Sequence, residues 1–88
     1  MKVLKIGRKE CEDCKIMGPR WQEIEEENPW LETEYIKADE KPEIIEEYHI
    51  TAVPTFIFLN REGKEIRRFI NIVEKEILVE VILEDRDK

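Results

Sequence analysis

At 88 residues the chain is long enough for one small domain, residues 1–88, and too short for a second. Its 41% hydrophobic content permits a core, although a chain of this size buries only about 60–65% of its unfolded surface. The net charge of −7, with acidic residues throughout, disfavours nucleic acid, which needs a basic face, and anionic membrane surfaces.

Lys2–Gly7 (KVLKIG) reads as an opening strand that ends at its glycine. From Cys11 to about Glu27, Met17, Trp21 and Ile24 recur at spacings of four and three, which predicts one apolar face of a helix. Pro19 falls inside it and should bend it, and Asn28-Pro29 stops it. Glu34–Ala38 (EYIKA) predicts a second strand. A short helix follows, with Pro42 in its first turn and Ile44, Ile45 and Tyr48 facing inward.

Thr55–Leu59 (TFIFL) is apolar on both faces, as a central strand covered on both sides would be. Pro54 precedes it where a missing N–H does least harm. Asn60–Gly63 predicts a hairpin turn, with Lys64–Phe69 pairing back antiparallel. Val73–Leu83 suits a helix or a strand; its length and interspersed charges select the helix. Residues 85–88 read as a loose tail. The order β-α-β-α-β-β-α implies an α/β fold, a mixed sheet flanked by helices.

The longest uncharged apolar run, Val53–Leu59, is too short to span a bilayer, and MKVLKIGRKEC lacks the apolar stretch of a signal peptide. A cytoplasmic location is therefore expected. There, a lone cysteine pair points to catalysis or metal before a permanent staple.

That pair is Cys11 and Cys14, the only cysteines, in KECEDCK. A structural zinc site wants four Cys or His ligands, and His49 is the only further candidate. The redox reading uses position. At a helix start, free N–H groups and the macrodipole favour an anion, so Cys11 is the expected nucleophile. Cys14, one turn on, is the expected resolving thiol, more buried than the exposed Cys11. Glu10, Glu12 and Asp13 oppose a Cys11 thiolate, while Lys15, Arg8 and Lys9 attract it; Glu12, Asp13 and Lys15 are the expected tuners of its pKa. Several conspicuous residues have ordinary readings: His49 as a helix-end cap, Trp21 and Trp30 as packing, Glu23–Glu27 as a solvated face.

CEDCKIMGP, ITAVPT and FIFLNREGKEI together resemble the thioredoxin family, over Lys2 to about Glu84. Cys11, Cys14, Lys15 and Pro19 match its C-x-x-C-K and kinking proline; Val53, Pro54 and Thr55 match its V-P-T; Asp39 and Gly63 also match. The resemblance implies a thioredoxin-like fold with a four-stranded mixed sheet, trimmed to glutaredoxin size by the lack of a first strand and helix. It implies a cis-proline at Pro54, facing the cysteines, with Val53 pairing an extended substrate. It also implies a redox-active Cys11–Cys14 disulfide with no other cofactor, disulfide-bearing protein substrates, and an NADPH-dependent flavoprotein reductase as electron source. The expected form is a monomer.

Departures from the pattern locate specificity. Glu10 replaces an aromatic before the first cysteine, Glu12-Asp13 replaces Gly-Pro, Lys5 replaces a buried acid, and Ile70 falls where a groove glycine is usual. Glu10 and Ile70 are therefore expected at the substrate groove. The glycine-rich signature with which glutaredoxins hold glutathione is missing after Pro54. Two other readings remain compatible: a non-catalytic thioredoxin-fold binding module, and a metal- or cluster-bridged dimer.

Overall fold

The computed structural model describes residues Met1–Lys88. Four strands, β1 (Lys2–Gly7), β2 (Glu32–Lys37), β3 (Thr55–Leu59) and β4 (Glu65–Ile70), form one sheet in the order β2-β1-β3-β4. β1 runs parallel to β2 and antiparallel to β3, and β3 is antiparallel to β4. The helices are α1 (Glu12–Glu27), α2 (Glu43–Glu47) and α3 (Lys75–Asp85).

Period-two alternation in the two central strands divides the core. Val3, Phe56 and Phe58 point toward α1 and α3, where they meet Met17, Trp21, Leu78 and Ile82. Leu4, Ile6, Ile57 and Leu59 point the other way and meet Ile36 and Ile44. All five residues of TFIFL are consequently buried. Trp21 sits 5.4 Å from Phe56 and 6.4 Å from Phe58, ring centre to ring centre. Such pairs are worth about 0.5–1.5 kcal/mol each beyond the area they bury.

Two expectations from the sequence are corrected. Ile45 faces outward, at 42% exposure, whereas Ile44 is buried and Tyr48 packs against the same cluster. Neighbours on a helix diverge by about 100°, so only the i, i+4 pair can share the inner face. Residues 85–88 are also not a loose tail. The buried face of α3 recurs at Leu78, Val81, Ile82 and Asp85, so the helix carries Asp85 into the interior. There Arg67 and Lys88 bind its carboxylate. Arg86 then stacks 4.4 Å from the Trp30 ring centre, and the Arg61 N–H donates to the Lys88 carbonyl.

Candidate active site at the start of the first helix

Cys11 is the N-cap of α1, in extended conformation (φ −138°, ψ 109°). Its sulfur accepts a hydrogen bond from the Cys14 backbone N–H at 3.1 Å, one of the donors that a helix start leaves without a partner. The two cysteines form a disulfide, with Cα atoms 5.2 Å apart. A sulfur held this way receives an N–H and the positive end of the helix dipole, both of which favour the thiolate once the bond opens.

The expected contrast between an exposed Cys11 and a more buried Cys14 is reversed residue by residue. Cys11 is 6% exposed and Cys14 is half-buried. The N-cap conformation folds Cys11 back over its own first turn. Cys14 lines a small cavity that Cys11 does not.

Around the pair, Glu10 and Glu12 are exposed and Asp13 is half-buried. The Lys15 ammonium lies 3.7 Å from Glu12, partly countering its charge. Lys5, in the place of a buried acid, pairs with Glu25 of α1 and lines the same small cavity as Cys14.

The loop before β3 meets the pair from the other side. The Val53–Pro54 peptide is cis, and Pro54 shares the small cavity with Cys14. Two hydrogen bonds fix this loop: the Thr55 hydroxyl donates to the Ala52 carbonyl at 2.7 Å, and the Asn71 N–H donates to the Pro54 carbonyl at 2.8 Å. Val53 borders an open groove of about 540 Å³ lined also by Arg8, Asp39, Ile45 and Thr51. Ile70, 41% exposed, ends β4 opposite Thr55. The chain after it is anchored to α1, where Arg20 donates to the Val73 carbonyl at 2.6 Å.

Three residues of this region were not singled out by their sequence context. Asn71 adopts φ 69°, a left-handed conformation, so the backbone that favours glycine lies one residue beyond Ile70. Gly7 and Tyr35 lie under the Cys14 sulfur; an added Cβ at Gly7 would meet the Tyr35 hydroxyl at 2.7 Å and that sulfur at 3.0 Å. Gly7 carried only the signal of a strand end, and Tyr35 that of an ordinary strand residue.

His49 is remote from this chemistry. It takes φ 52° just past α2, while the Ile50 N–H reaches back to the Ile45 carbonyl, a left-handed helix termination made by backbone alone. No group of three or more His, Cys, Asp or Glu side chains is placed to hold a metal ion. No helix is long and apolar enough to cross a membrane.

A family model described as thioredoxin matches residues 1–83. The chain is similar to the thioredoxin of Mycoplasmoides gallisepticum, at 32% identity over 72 residues covering 82% of this chain and 71% of that one. Against the thioredoxin of Chlamydia trachomatis it is 29% identical over 72 residues, covering 82% and 70%. Among solved structures, thioredoxin 1 of Thermosipho africanus superposes with a TM-score of 0.81 at 30% identity, covering 96% of this chain and 92% of that one.

Proposed function

The chain belongs to the thioredoxin family, and from that premise we propose that it reduces disulfides of a cytoplasmic protein partner. It is a thiol–disulfide oxidoreductase whose redox group is its own cysteine pair. The observation that carries the reading is the Cys11–Cys14 disulfide at a helix N-cap, with Pro54 beside it.

In the proposed cycle the Cys11 thiolate attacks one sulfur of the partner's disulfide. An S–S bond forms between Cys11 and that sulfur, and the partner's other sulfur leaves as a thiolate and takes up a proton. Cys14, deprotonated, then attacks the Cys11 sulfur. The Cys11–Cys14 bond forms, the bond to the partner breaks, and two electrons have passed to the partner. A dithiol reductase, in this reading an NADPH-dependent flavoprotein, returns the pair to the reduced form. Val53 would pair its backbone with the bound substrate, Glu10 and Ile70 would flank it, and the protein would act as a monomer.

Trapping tests the assignment. Cys14→Ser should leave Cys11 able to attack and unable to be released, so mixed disulfides with partner proteins accumulate, and Cys11→Ser should form none. Equal trapping by both variants would overturn the division of roles. A redox titration then fixes direction: a donor couple should lie below about −230 mV, while one near −120 mV is that of an oxidant.

A further inference from the structure

Lys5, Tyr35 and Phe56 form one transverse row across β2, β1 and β3, in register as Lys5↔Tyr35 and Lys5↔Phe56. The row faces α1, since Phe56 packs on Trp21 and Lys5 reaches Glu25. Gly7, two residues beyond Lys5, lies on the same face, and its missing side chain leaves a space that the Tyr35 hydroxyl and the Cys14 sulfur both border. Both atoms lie within 3.0 Å of where a Gly7 Cβ would be, and those two distances together bound their separation.

The cavity behind the disulfide, about 40 Å³, is lined by Lys5, Cys14, Trp21, Tyr35, Pro54 and Phe56 among others. No carboxylate lines it. The polar side chains among its lining residues are those of Tyr35, Trp21 and Lys5, whose ammonium pairs with Glu25, and the indole N–H is buried without an acceptor. All can donate a hydrogen bond, and an ammonium and an indole can do nothing else. Such a wall cannot take a proton from Cys14 as a buried acid would, but it can hold Cys14 as an anion.

We propose that Tyr35 is a catalytic residue of the resolving half-reaction, its hydroxyl donating a hydrogen bond to the Cys14 thiolate, with the Lys5 charge in support. The inference rests on the oxidoreductase reading above. When Cys14 attacks the mixed disulfide it does so as a preformed thiolate whose proton has already gone to water. When the reductase attacks Cys11, the Cys11–Cys14 bond breaks and Cys14 leaves as that same anion. Other charges face the sulfur's surroundings: Glu25 opposite Lys5, Glu12, Asp13 and Lys15 on its own helix, and Arg8, Lys9 and Glu10 in the preceding loop. Of the titratable groups, only those of Lys5 and Tyr35 belong to residues that line the cavity with it.

The test follows the two steps separately. Reduced protein is mixed with the coloured aromatic disulfide dithiobis-nitrobenzoate: a first phase of colour reports attack by Cys11, and a second reports its displacement by Cys14. Tyr35→Phe removes only the hydroxyl, at a half-exposed position on an edge strand. A rise of one pKa unit at Cys14 cuts its thiolate fraction about tenfold, and the gain in intrinsic nucleophilicity returns part of it. The second phase of Tyr35→Phe should therefore slow about threefold or more at pH 7, with its pH midpoint about one unit higher, while the first phase is unchanged. Lys5→Gln should move the same midpoint upward, and less so at high salt. A second phase in Tyr35→Phe that matches the parent in rate and midpoint overturns the role given to the hydroxyl. A parent protein with no second phase at all overturns the dithiol reading itself, and this proposal with it.

Discussion

The guanidinium of Arg67 on β4 grips the buried carboxylate of Asp85 on α3 through two hydrogen bonds, Nε to Oδ2 at 2.8 Å and Nη2 to Oδ1 at 3.2 Å. Lys88 adds a third at 3.1 Å. Asp85 is 1% exposed, so these partners replace the water it gave up, and the hydrogen bond from Arg67 does most to hold its carboxyl below the ordinary range. The pair ties the last helix to the edge strand that ends at Ile70.

Its contribution to stability should depend on pH with a definite sign. A carboxyl whose folded pKa is depressed contributes fully above its unfolded value, near 3.8, and the contribution disappears as pH falls through the folded value. Asp85→Asn should cost about 1.5–3 kcal/mol at pH 7, the range for hydrogen bonds to charged groups. The gap to the parent should begin to close below pH 3.8 and close fully only once the pH has fallen through the depressed folded value, where the parent carboxyl is neutral too. Urea denaturation at both pH values measures it; an equal gap at both would show that the ion pair contributes nothing specific.

A second prediction concerns Gly7. A methyl there would sit 2.7 Å from the Tyr35 hydroxyl and 3.0 Å from the Cys14 sulfur, too close for either. Tyr35 is the far end of a flexible, half-exposed side chain and can swing out, whereas the sulfur is fixed by the disulfide. Gly7→Ala should destabilise the oxidised protein by about 1–3 kcal/mol, the cost of overpacking. The displaced hydroxyl should also slow resolution by Cys14 as Tyr35→Phe does. A Gly7→Ala protein with parental stability and parental resolution kinetics would contradict both effects.

That junction was not legible in the sequence, and the reason is physical. KVLKIG and TFIFL report themselves, because alternation and two-sided burial are local patterns, and both strands fall on their expected residues. CEDCK and AVPT stand out by residue type. Tyr35 and Cys14 both border the space at Gly7 only because β2 lies parallel to β1 in one register and α1 then crosses that face, and nothing near Tyr35 in sequence encodes the crossing. Asp85 misleads for a related cause. A charged residue near a chain end reads as solvated until its partner, 18 residues away, is placed beside it. Asn71 is a third kind of case, since a left-handed residue that is not glycine leaves no sure mark in the sequence.

Specificity supplies a third prediction. Glu10 places an exposed charge just before Cys11, and Ile70 stands 41% exposed at the strand end bonded to the Pro54 loop. A groove with these walls should serve a restricted, polar-matched partner. The parent should reduce insulin slowly and accept electrons poorly from an unrelated thioredoxin reductase, and Ile70→Gly with Glu10→Trp should raise insulin turnover severalfold. Parental insulin rates equal to those of general thioredoxins would remove any selective role from both residues.

The last prediction concerns the two carboxylates between the cysteines. Glu12 and Asp13 occupy the first turn of α1, whose Cys14 N–H binds the Cys11 sulfur. When the disulfide opens, both negative charges oppose the anion that this N–H and the helix dipole favour. Lys15, 3.7 Å from Glu12, offsets part of that opposition, so Asp13, half-buried and without an ion-pair partner, should weigh more. A less stabilised Cys11 thiolate means a less stabilised reduced form, and hence a more reducing couple. Glu12→Gln with Asp13→Asn should therefore lower the Cys11 pKa and raise the potential, by an amount on the order of 10–40 mV at low salt. Asp13→Asn alone should give the larger share, and the shift should shrink as salt screens the charges. If the double variant titrates like the parent at low salt, the acidic pair serves the first turn of the helix and not the potential of the protein.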